Sequence, residues 1–306
     1  MSEVKMRISE CQNLKDIYAF FRQDEKDVVQ SLQEEGMLLP LRRCPKKTSR
    51  TAQILDRNTD FKGHYAAYCK KCKKFSSLCK DTFFEGTHQS FEDIFVALWT
   101  WICHVSQHDA ASLTGISRNA LNQDIASWKI LNTPHRTLGG EGVVVQIDES
   151  VITKRKCNRG KGVRKSIPEK WVLGLYDTDK KTGVVLYVVK RDRATLAPLI
   201  RQYCKEGSIL WTDGWAAYKG LDKFGFKHHV VNHSKEFKSA DGSFSNWVEG
   251  YWSTLKQYCR HTNVLKSKLL AEHIDEFAMY HQYYCGSLPY RFRCAIDHIK
   301  ERYPVV

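Results

Sequence analysis

Four short runs of β-branched and aromatic residues follow one another after Gly142: VVVQI, KWVLGLYD, GVVLYVV and GSILWTD. Each run is bounded by Gly, Asp or Lys, which is typical of β-strands. Between the third and fourth runs, ATLAPLIRQYC has apolar residues at helical spacing. Strands interrupted by a helix and followed by further helices predict an α/β domain with a mixed sheet.

The region before this domain has a different character. Apolar residues recur at helical spacing from Asn13 to Leu39, with Gly36 and Pro40 as stop signals, which predicts a helix or a helix pair. The glycine-rich TLGGEG marks the boundary before the sheet domain. The predicted organisation is a helical segment at 1–40, a zinc-ribbon-like region at 41–90, a helix-turn-helix region at 91–138 and the sheet domain at 143–306.

The chain carries 48 Lys and Arg against 34 Asp and Glu, a net charge of +14. Such an excess favours a polyanionic partner, although a ribosome-like or membrane-surface protein is the alternative. No stretch approaches the roughly 20 apolar residues of a membrane span, and MSEVKMRISE lacks the apolar core of a signal peptide. The 11 cysteines are expected to be mostly buried thiols of a reducing compartment.

One group of cysteines suggests a metal site. Cys69 and Cys72 form a CxxC knuckle, and Cys44 begins a second one whose expected partner position holds Lys47. Paired knuckles of this kind bind structural zinc, so Cys44, Cys69 and Cys72 are candidate ligands. The fourth ligand is one of three residues that spacing does not separate: His64, Cys79 or His88. The alternative is a folded remnant with reduced thiols.

Two segments precede the glycine-rich boundary. FEDIFVALWTWICHV is apolar nearly all round, which predicts a buried helix. The next segment has the form of a helix-turn-helix, with a short helix from Asp109 to Leu113, a turn at Gly115 and a second helix capped by Ser117. The predicted DNA-contacting residues of the second helix are Arg118, Asn119 and Gln123. A plain packing unit is the alternative.

Three carboxylates are candidates for one site. The run VVVQI stops at Asp148 and SILWT stops at Asp213, and the carboxyl ends of parallel strands face one crevice. Glu249 lies in a helical segment with Trp252 at i+3 and Lys256 at i+7, so it would share a face with a cation and with a ring that stacks on DNA.

Clustered carboxylates repel one another unless a divalent cation joins them, and Mg²⁺ or Mn²⁺ fits oxygen ligands. Two ions about 4 Å apart support phosphodiester cleavage. A following group of cations would hold the DNA strand: Lys154, Arg155, Lys156, Arg159, Lys161, Arg164 and Lys165. Taken singly, each acid could be a turn, strand-end or solvated residue, and the cations could form a solvated loop.

The ordered motifs resemble the DDE transposases of the Merlin superfamily and the related bacterial insertion-sequence transposases. The matching pieces are IDES at 147–150, WVLGLYD at 171–177, KRDRATLAPLI at 190–200, WTDGWAAYKGL at 211–221, HHVVNHSKEF at 228–237 and NWVEGYWSTLK at 246–256. The CPKK and CKKC knuckles and DTFFEGTHQSFEDI resemble the family's N-terminal zinc ribbon and following helix, with the first knuckle damaged.

The resemblance implies that 143–306 is an RNase H-like catalytic domain in which Asp148, Asp213 and Glu249 bind the catalytic metals. It also implies that Lys256 grips DNA. Three further residues fall in family motifs and would support the site or touch the DNA end: Glu149, Asn232 and His233. A structural role is the alternative for His233. The intact triad argues against a catalytically dead descendant.

The expected function is therefore that of a cut-and-paste DNA transposase that binds terminal inverted repeats and transfers 3′-OH ends to target DNA. Its expected partners are double-stranded DNA and further copies of the chain, in a homodimer or larger synaptic complex, without a membrane. The alternatives are a transposase-derived DNA-binding regulator and a structure-selective nuclease of the same fold. The expected location is the nucleus, with the bacterial cytoplasm as the alternative.

Overall fold

The computed structural model of the chain describes residues 6–44, 53–57, 65–87, 89–123, 137–152, 169–231, 247–261 and 270–305. Two compact units divide the chain. The helical unit comprises Met1–Thr133 and Gly286–Val306, and the sheet unit comprises Pro134–Cys285. The predicted catalytic domain extends to residue 306, whereas the sheet unit ends at Cys285.

The α-helices of the described ranges are, in chain order, α1 Leu14–Phe21, α2 Glu25–Glu34, α3 Phe91–Ile102, α4 Gln107–Thr114, α5 Arg118–Gln123, α6 Arg193–Tyr203, α7 Trp247–His261, α8 Leu270–Tyr283 and α9 Leu288–Arg302. The β-strands are β1 Ile54–Arg57, β2 Tyr65–Cys69, β3 Lys74–Ser76, β4 Val144–Val151, β5 Trp171–Asp177, β6 Thr182–Val188, β7 Ile209–Thr212 and β8 Lys227–Val230. Within these ranges every helix is too short or too polar to cross a membrane.

The helical unit contains the predicted helix pair and the predicted buried helix. The Asn13 side chain caps α1 by accepting hydrogen bonds from the backbone of the first turn, which stabilises its start. Ser90 caps α3 in the same way, and most residues of α3 are buried. In this unit β1, β2 and β3 form a small antiparallel sheet.

The sheet unit is built on a five-stranded mixed sheet with the order β6-β5-β4-β7-β8. β4 pairs with β5 in antiparallel and with β7 in parallel orientation. β5 and β6 are antiparallel, while β7 and β8 are parallel, so β5 runs against the other four strands. This arrangement confirms the prediction of an α/β domain with a mixed sheet.

Helices cover both faces of the sheet. On one face Val145 and Ile147 pack with Leu196 and Ile200 of α6. On the other face, residues of β5 and β6 pack with α7 and α8 through side chains such as Trp252. Because side chains alternate along a strand, neighbouring residues of β4 meet different helices.

Two details of the sheet differ from the sequence-based expectation. Asp148 lies within β4 and not at its end, because pairing with β5 continues to Val151 opposite Trp171. Pairing with β7 does stop earlier, at Gln146 opposite Trp211. The edge strand β8 was not predicted, because its sequence KHHV is largely polar and its residues are mostly exposed.

Candidate active site

Asp148 and Asp213 occupy equivalent places on neighbouring parallel strands. In the register of β4 and β7, Gln146 lies opposite Trp211. Asp148 follows Gln146 by two positions, and Asp213 follows Trp211 by two positions. Adjacent strands lie about 4.8 Å apart, and residues two positions apart share a face. The fold therefore places the two predicted aspartates at the same end of neighbouring strands, where the charges of both act on Glu149.

Glu149 lies on the opposite side of β4, where it faces Tyr218. Burial raises the pKa of Glu149, and the negative charges of Asp148 and Asp213 raise this pKa further. The Tyr218 hydroxyl and Arg191 oppose this shift by lowering the same pKa. Glu149 Oε1 and the Tyr218 hydroxyl are both buried, and neither makes a hydrogen bond of standard length and angle with the described residues. The site thus concentrates negative charge.

Hydrogen bonds fix the turn that carries Asp213. The backbone N–H of Trp215 donates to Asp213 Oδ1 at 2.9 Å, and the Thr212 hydroxyl donates to the Asp213 carbonyl at 2.8 Å. Because that hydroxyl proton is used, we assign the proton between Thr212 Oγ1 and His228 Nε2, 2.8 Å apart, to the imidazole. Burial lowers the pKa of His228, which favours the neutral ring.

Helix α7 contributes a direct contact to the site. The indole Nε1–H of Trp252 donates to Asp148 Oδ2 at 2.9 Å. Trp252 is only 4% exposed, and this corrects the expectation of a ring that stacks on DNA, because neither ring face is available to a base. Glu249 lies one turn earlier and is exposed, and Lys256 lies one turn later and is half-buried.

Arg191 completes the surroundings of the acids, and sequence reasoning did not single it out. Its guanidinium lies 3.6 Å from the ring centroid of Trp171 and 5.5 Å from that of Trp215. The Trp215 indole N–H also donates to the Arg191 carbonyl at 3.4 Å. The signal was present in KRDRATLAPLI, where the cation immediately precedes Asp192, the cap of α6.

The donor set of the acids fits hard divalent cations, since it consists of carboxylate oxygens whose mutual repulsion a cation relieves. Asp148, Asp213 and Glu249 do not have their oxygen atoms all within 4.8 Å of one another. Ligands of two ions about 4 Å apart lie farther from one another than the ligands of a single ion do. The assignment of these three residues as metal ligands is a prediction.

A cluster of thiols lies in the helical unit. The sulfur atoms of Cys44, Cys69 and Cys72 all lie within 4.8 Å of one another, close enough to bind one metal ion together. Cys44 Sγ and Cys72 Sγ are 3.0 Å apart, and the Cys72 N–H donates to Cys69 Sγ at 3.5 Å.

The surroundings of these sulfur atoms shift their pKa values in opposite directions. The Cys72 backbone N–H lowers the pKa of Cys69, whereas the neighbouring Cys44 thiol raises the pKa of Cys72 to about 11. Sulfur donors at this spacing fit zinc. Cys79 is not part of the group, while His64 and His88 lie outside the described residues.

The expected helix-turn-helix region contains two short helices. α4 ends at Gly115, whose φ of 74° is the left-handed conformation that favours glycine. The Ser117 hydroxyl accepts a hydrogen bond from the Ala120 N–H at 3.1 Å, as predicted for a cap of α5. Arg118 and Asn119 are exposed. The remaining predicted DNA contacts lie outside the described side chains: Gln123, Lys154, Arg155, Lys156, Arg159, Lys161, Arg164, Lys165, Asn232 and His233.

Comparison with protein families gives a match over just over half of the chain. The model of the ISXO2-like transposase domain matches residues 137–292. An uncharacterized transposase-like protein of Haemophilus influenzae is 34% identical over 70 residues, which cover 23% of this chain and 56% of that protein. The match thus spans about half the length of this curated relative. It gives no support to the expected nuclear location.

Solved structures with some similarity include retroviral integrases. The simian T-cell lymphotropic virus intasome has a TM-score of 0.34 at 14% identity, over 62% of this chain and 69% of that chain. The HTLV-2 integrase catalytic core with magnesium has a TM-score of 0.33 at 13% identity, over 49% and 90%. The BIV integrase catalytic core has the same score and identity, over 52% and 97%. These similarities are weak.

Proposed function

The chain belongs to the family of ISXO2-like transposase domains, and we propose that it is a cut-and-paste DNA transposase. In this proposal it binds the terminal inverted repeats of its own element, cleaves phosphodiester bonds at the ends and transfers the freed 3′-OH groups to target DNA. The observation that carries the proposal is the position of Asp148 and Asp213, each two residues beyond the last residue of its strand in the parallel β4–β7 pairing, with Trp252 linking the Glu249 helix to Asp148.

We assign the binding of two Mg²⁺ or Mn²⁺ ions to Asp148, Asp213 and Glu249. When bound, the ions supply an activated hydroxyl and charge stabilisation at the leaving oxygen of the phosphodiester. The chain's own part is to hold the carboxylates in place. The Trp252 indole does this for Asp148, and the Trp215 backbone N–H does it for Asp213.

We infer that the sheet unit is an RNase H-like domain, as the motif resemblance implies. The support comes from its five-stranded sheet, in which β5 runs against the other strands, and from helices on both faces. The finer kinship with the Merlin superfamily rests on the ordered motifs from IDES to NWVEGYWSTLK.

We assign recognition of the DNA ends to α4 and α5, where Arg118 and Asn119 are exposed on the second helix. The cations at 154–165 and Lys256 would hold the strand that is cut. The net charge of +14 supports contact with phosphates along an extended surface.

We assign a structural zinc ion to Cys44, Cys69 and Cys72. The small sheet β1–β3 has strands of 4, 5 and 3 residues. So small a sheet has little core of its own, and a zinc ion held by thiolates supplies folding free energy in such regions. The fourth ligand stays open.

We expect the working form to be a homodimer or a larger synaptic complex, since two DNA ends must be joined in one event. We place the protein in a bacterial cytoplasm. The source of the curated relative, Haemophilus influenzae, supports this setting over the nucleus.

The test uses DNA that carries the inverted repeats flanking the coding region. Wild-type protein with Mg²⁺ is expected to cut at the repeat ends and to join them to a target plasmid. Asp213→Asn is expected to bind the repeats with unchanged affinity and to give neither product. Binding without any cutting by the wild type would indicate a regulator, and cutting without joining would indicate a nuclease.

A further inference from the structure

The face of α7 that packs on the sheet carries two aromatic rings, and each ring lies over a glycine. A Cβ atom at Gly174 would lie 2.5 Å from Trp252 Cζ2, and one at Gly183 would lie 2.8 Å from Tyr251 Cε1. Both rings are buried. A glycine inside a strand often marks such a close approach. The two glycines therefore set where α7 can sit on the sheet.

Hydrogen bonds tie the same helix to β4 at two points. The Val248 N–H donates to Gln146 Oε1 at 3.1 Å, and Trp252 Nε1–H donates to Asp148 Oδ2 at 2.9 Å. Asp148 is also the register partner of Gly174, over which the Trp252 ring lies. Glu249 belongs to the helical turn between these two ties.

The Trp252 side chain suits the task of orienting a carboxylate. An indole N–H can only donate, so it holds a carboxylate oxygen in one direction. The ring has little room to move, because it is buried between the helix and a strand position without a side chain. A carboxylate that is already oriented loses less conformational entropy when a cation binds.

We propose that Trp252 is a positioning residue of the catalytic site: its indole N–H orients the Asp148 carboxylate, and its ring over Gly174 sets the helical turn that carries Glu249. The inference rests on the proposed function for the role of these two acids. The dependence of divalent-cation binding at Asp148 on the indole N–H can be tested separately from that function.

The experiment compares Mn²⁺ binding to the full chain by calorimetric titration in the absence of DNA. Trp252→Phe keeps an aromatic ring but removes the N–H donor. The matched control is Trp247→Phe, because Trp247 lies on the same helix, is 38% exposed and stacks on Tyr176 of β5. Loss of a partner that orients a metal ligand typically weakens binding about 10- to 100-fold.

We expect Trp252→Phe to weaken Mn²⁺ binding about 10-fold and to lower the DNA cleavage rate similarly, with unchanged DNA affinity. Trp247→Phe should behave as the wild type. Should Trp252→Phe fail to fold, 3-benzothienylalanine at position 252 keeps the bicyclic ring and replaces only the N–H by sulfur. The same weakening is expected for that chain.

Wild-type Mn²⁺ affinity in a folded chain without the indole N–H would overturn the proposal. The proposal would also be overturned if Asp148→Asn bound Mn²⁺ as the wild type does, or if the wild type bound no Mn²⁺. Failure of the proposed function gives a different pattern: Asp148-dependent Mn²⁺ binding without DNA cleavage. In that case the Trp252→Phe titration still decides the positioning role.

Discussion

Asp148 and Glu149 are adjacent in sequence but have different surroundings. Asp148 accepts a hydrogen bond from Trp252 on one side of the sheet, while Glu149 faces Tyr218 on the other. The alternation of side chains along β4 separates them. A pair of neighbouring acids thus provides one carboxylate oriented by Trp252 and one half-buried carboxylate whose pKa is raised.

Gly174 is the residue whose replacement should most directly disturb the contact between α7 and the sheet. Gly174→Ala would place a methyl group against the Trp252 ring. We expect the free energy of unfolding to fall by about 1–3 kcal/mol, as for overpacked cores. Urea unfolding measures this, with Gly250→Ala as the control because nothing lies within 4 Å of a Cβ there. Equal stability of the two variants would contradict the packing.

His228 should make stability depend on pH. Burial lowers its pKa below the ordinary 6.5, so the native state binds fewer protons than the unfolded state between the two pKa values. The free energy of unfolding should therefore be fully retained above pH 6.5 and should decrease as pH falls toward the lowered pKa.

The measurement is urea unfolding of wild type and His228→Gln at pH 5 and pH 8. The variant cannot titrate at this position, so its stability should change less between the two pH values. The control His229→Gln replaces an exposed neighbour whose charge is the smallest cause of the lowered His228 pKa, and it should keep most of the wild-type dependence. An unchanged dependence in His228→Gln would refute the assignment.

The thiol cluster brings together Cys69 at the end of β2, Cys72 after it and Cys44 from the segment before β1. We expect the purified chain to contain about one zinc ion and Cys72→Ser to lose it, because sulfur is the preferred donor. Elemental analysis and limited proteolysis test this, with cleavage expected within 41–90 in the variant. Cys79→Ser is the comparison, since Cys79 is outside the compact cluster. Zinc-free protein with a protease-resistant 41–90 region would rule the site out.

The helices α4 and α5 carry the predicted recognition of DNA ends. Arg118→Ala should weaken binding to the terminal repeats about 10-fold, since one well-placed arginine contributes about 1–3 kcal/mol. Arg293→Ala removes an exposed cation of the same unit and should have a smaller effect. Fluorescence anisotropy at one fixed salt concentration gives both affinities. Equal losses would mean that α5 contributes charge but no recognition.

Strands and helices with clear periodicity were predictable from the sequence along the chain. VVVQI, KWVLGLYD and ATLAPLIRQYC all gave their predicted elements. The polar strand β8 was missed, since an edge strand need not bury alternating residues. The burial of Trp252 was also missed, because helical spacing does not reveal that the partner strand has a glycine at Gly174.

The candidate site was predictable in its acids but not in its supports. Asp148 and Asp213 follow from strand ends and the parallel-sheet rule. Arg191 and Tyr218 could not be placed beside them, because their contacts depend on how α6 and the following turn pack on the sheet. Long-range packing of this kind has no local sequence signal.

In the proposed function, the acids at the end of the β4–β7 pair cut DNA with divalent cations. The most direct measurement is the rate of Mg²⁺-dependent cleavage of terminal-repeat DNA by Asp213→Asn, beside the control Asp179→Asn, an exposed acid in the turn after β5. We expect Asp179→Asn to cleave at the wild-type rate and Asp213→Asn to lose at least about 1000-fold, since a metal ligand of the reaction is removed. Cleavage by Asp213→Asn at the control rate would contradict the role of Asp213 as a ligand of the catalytic metals.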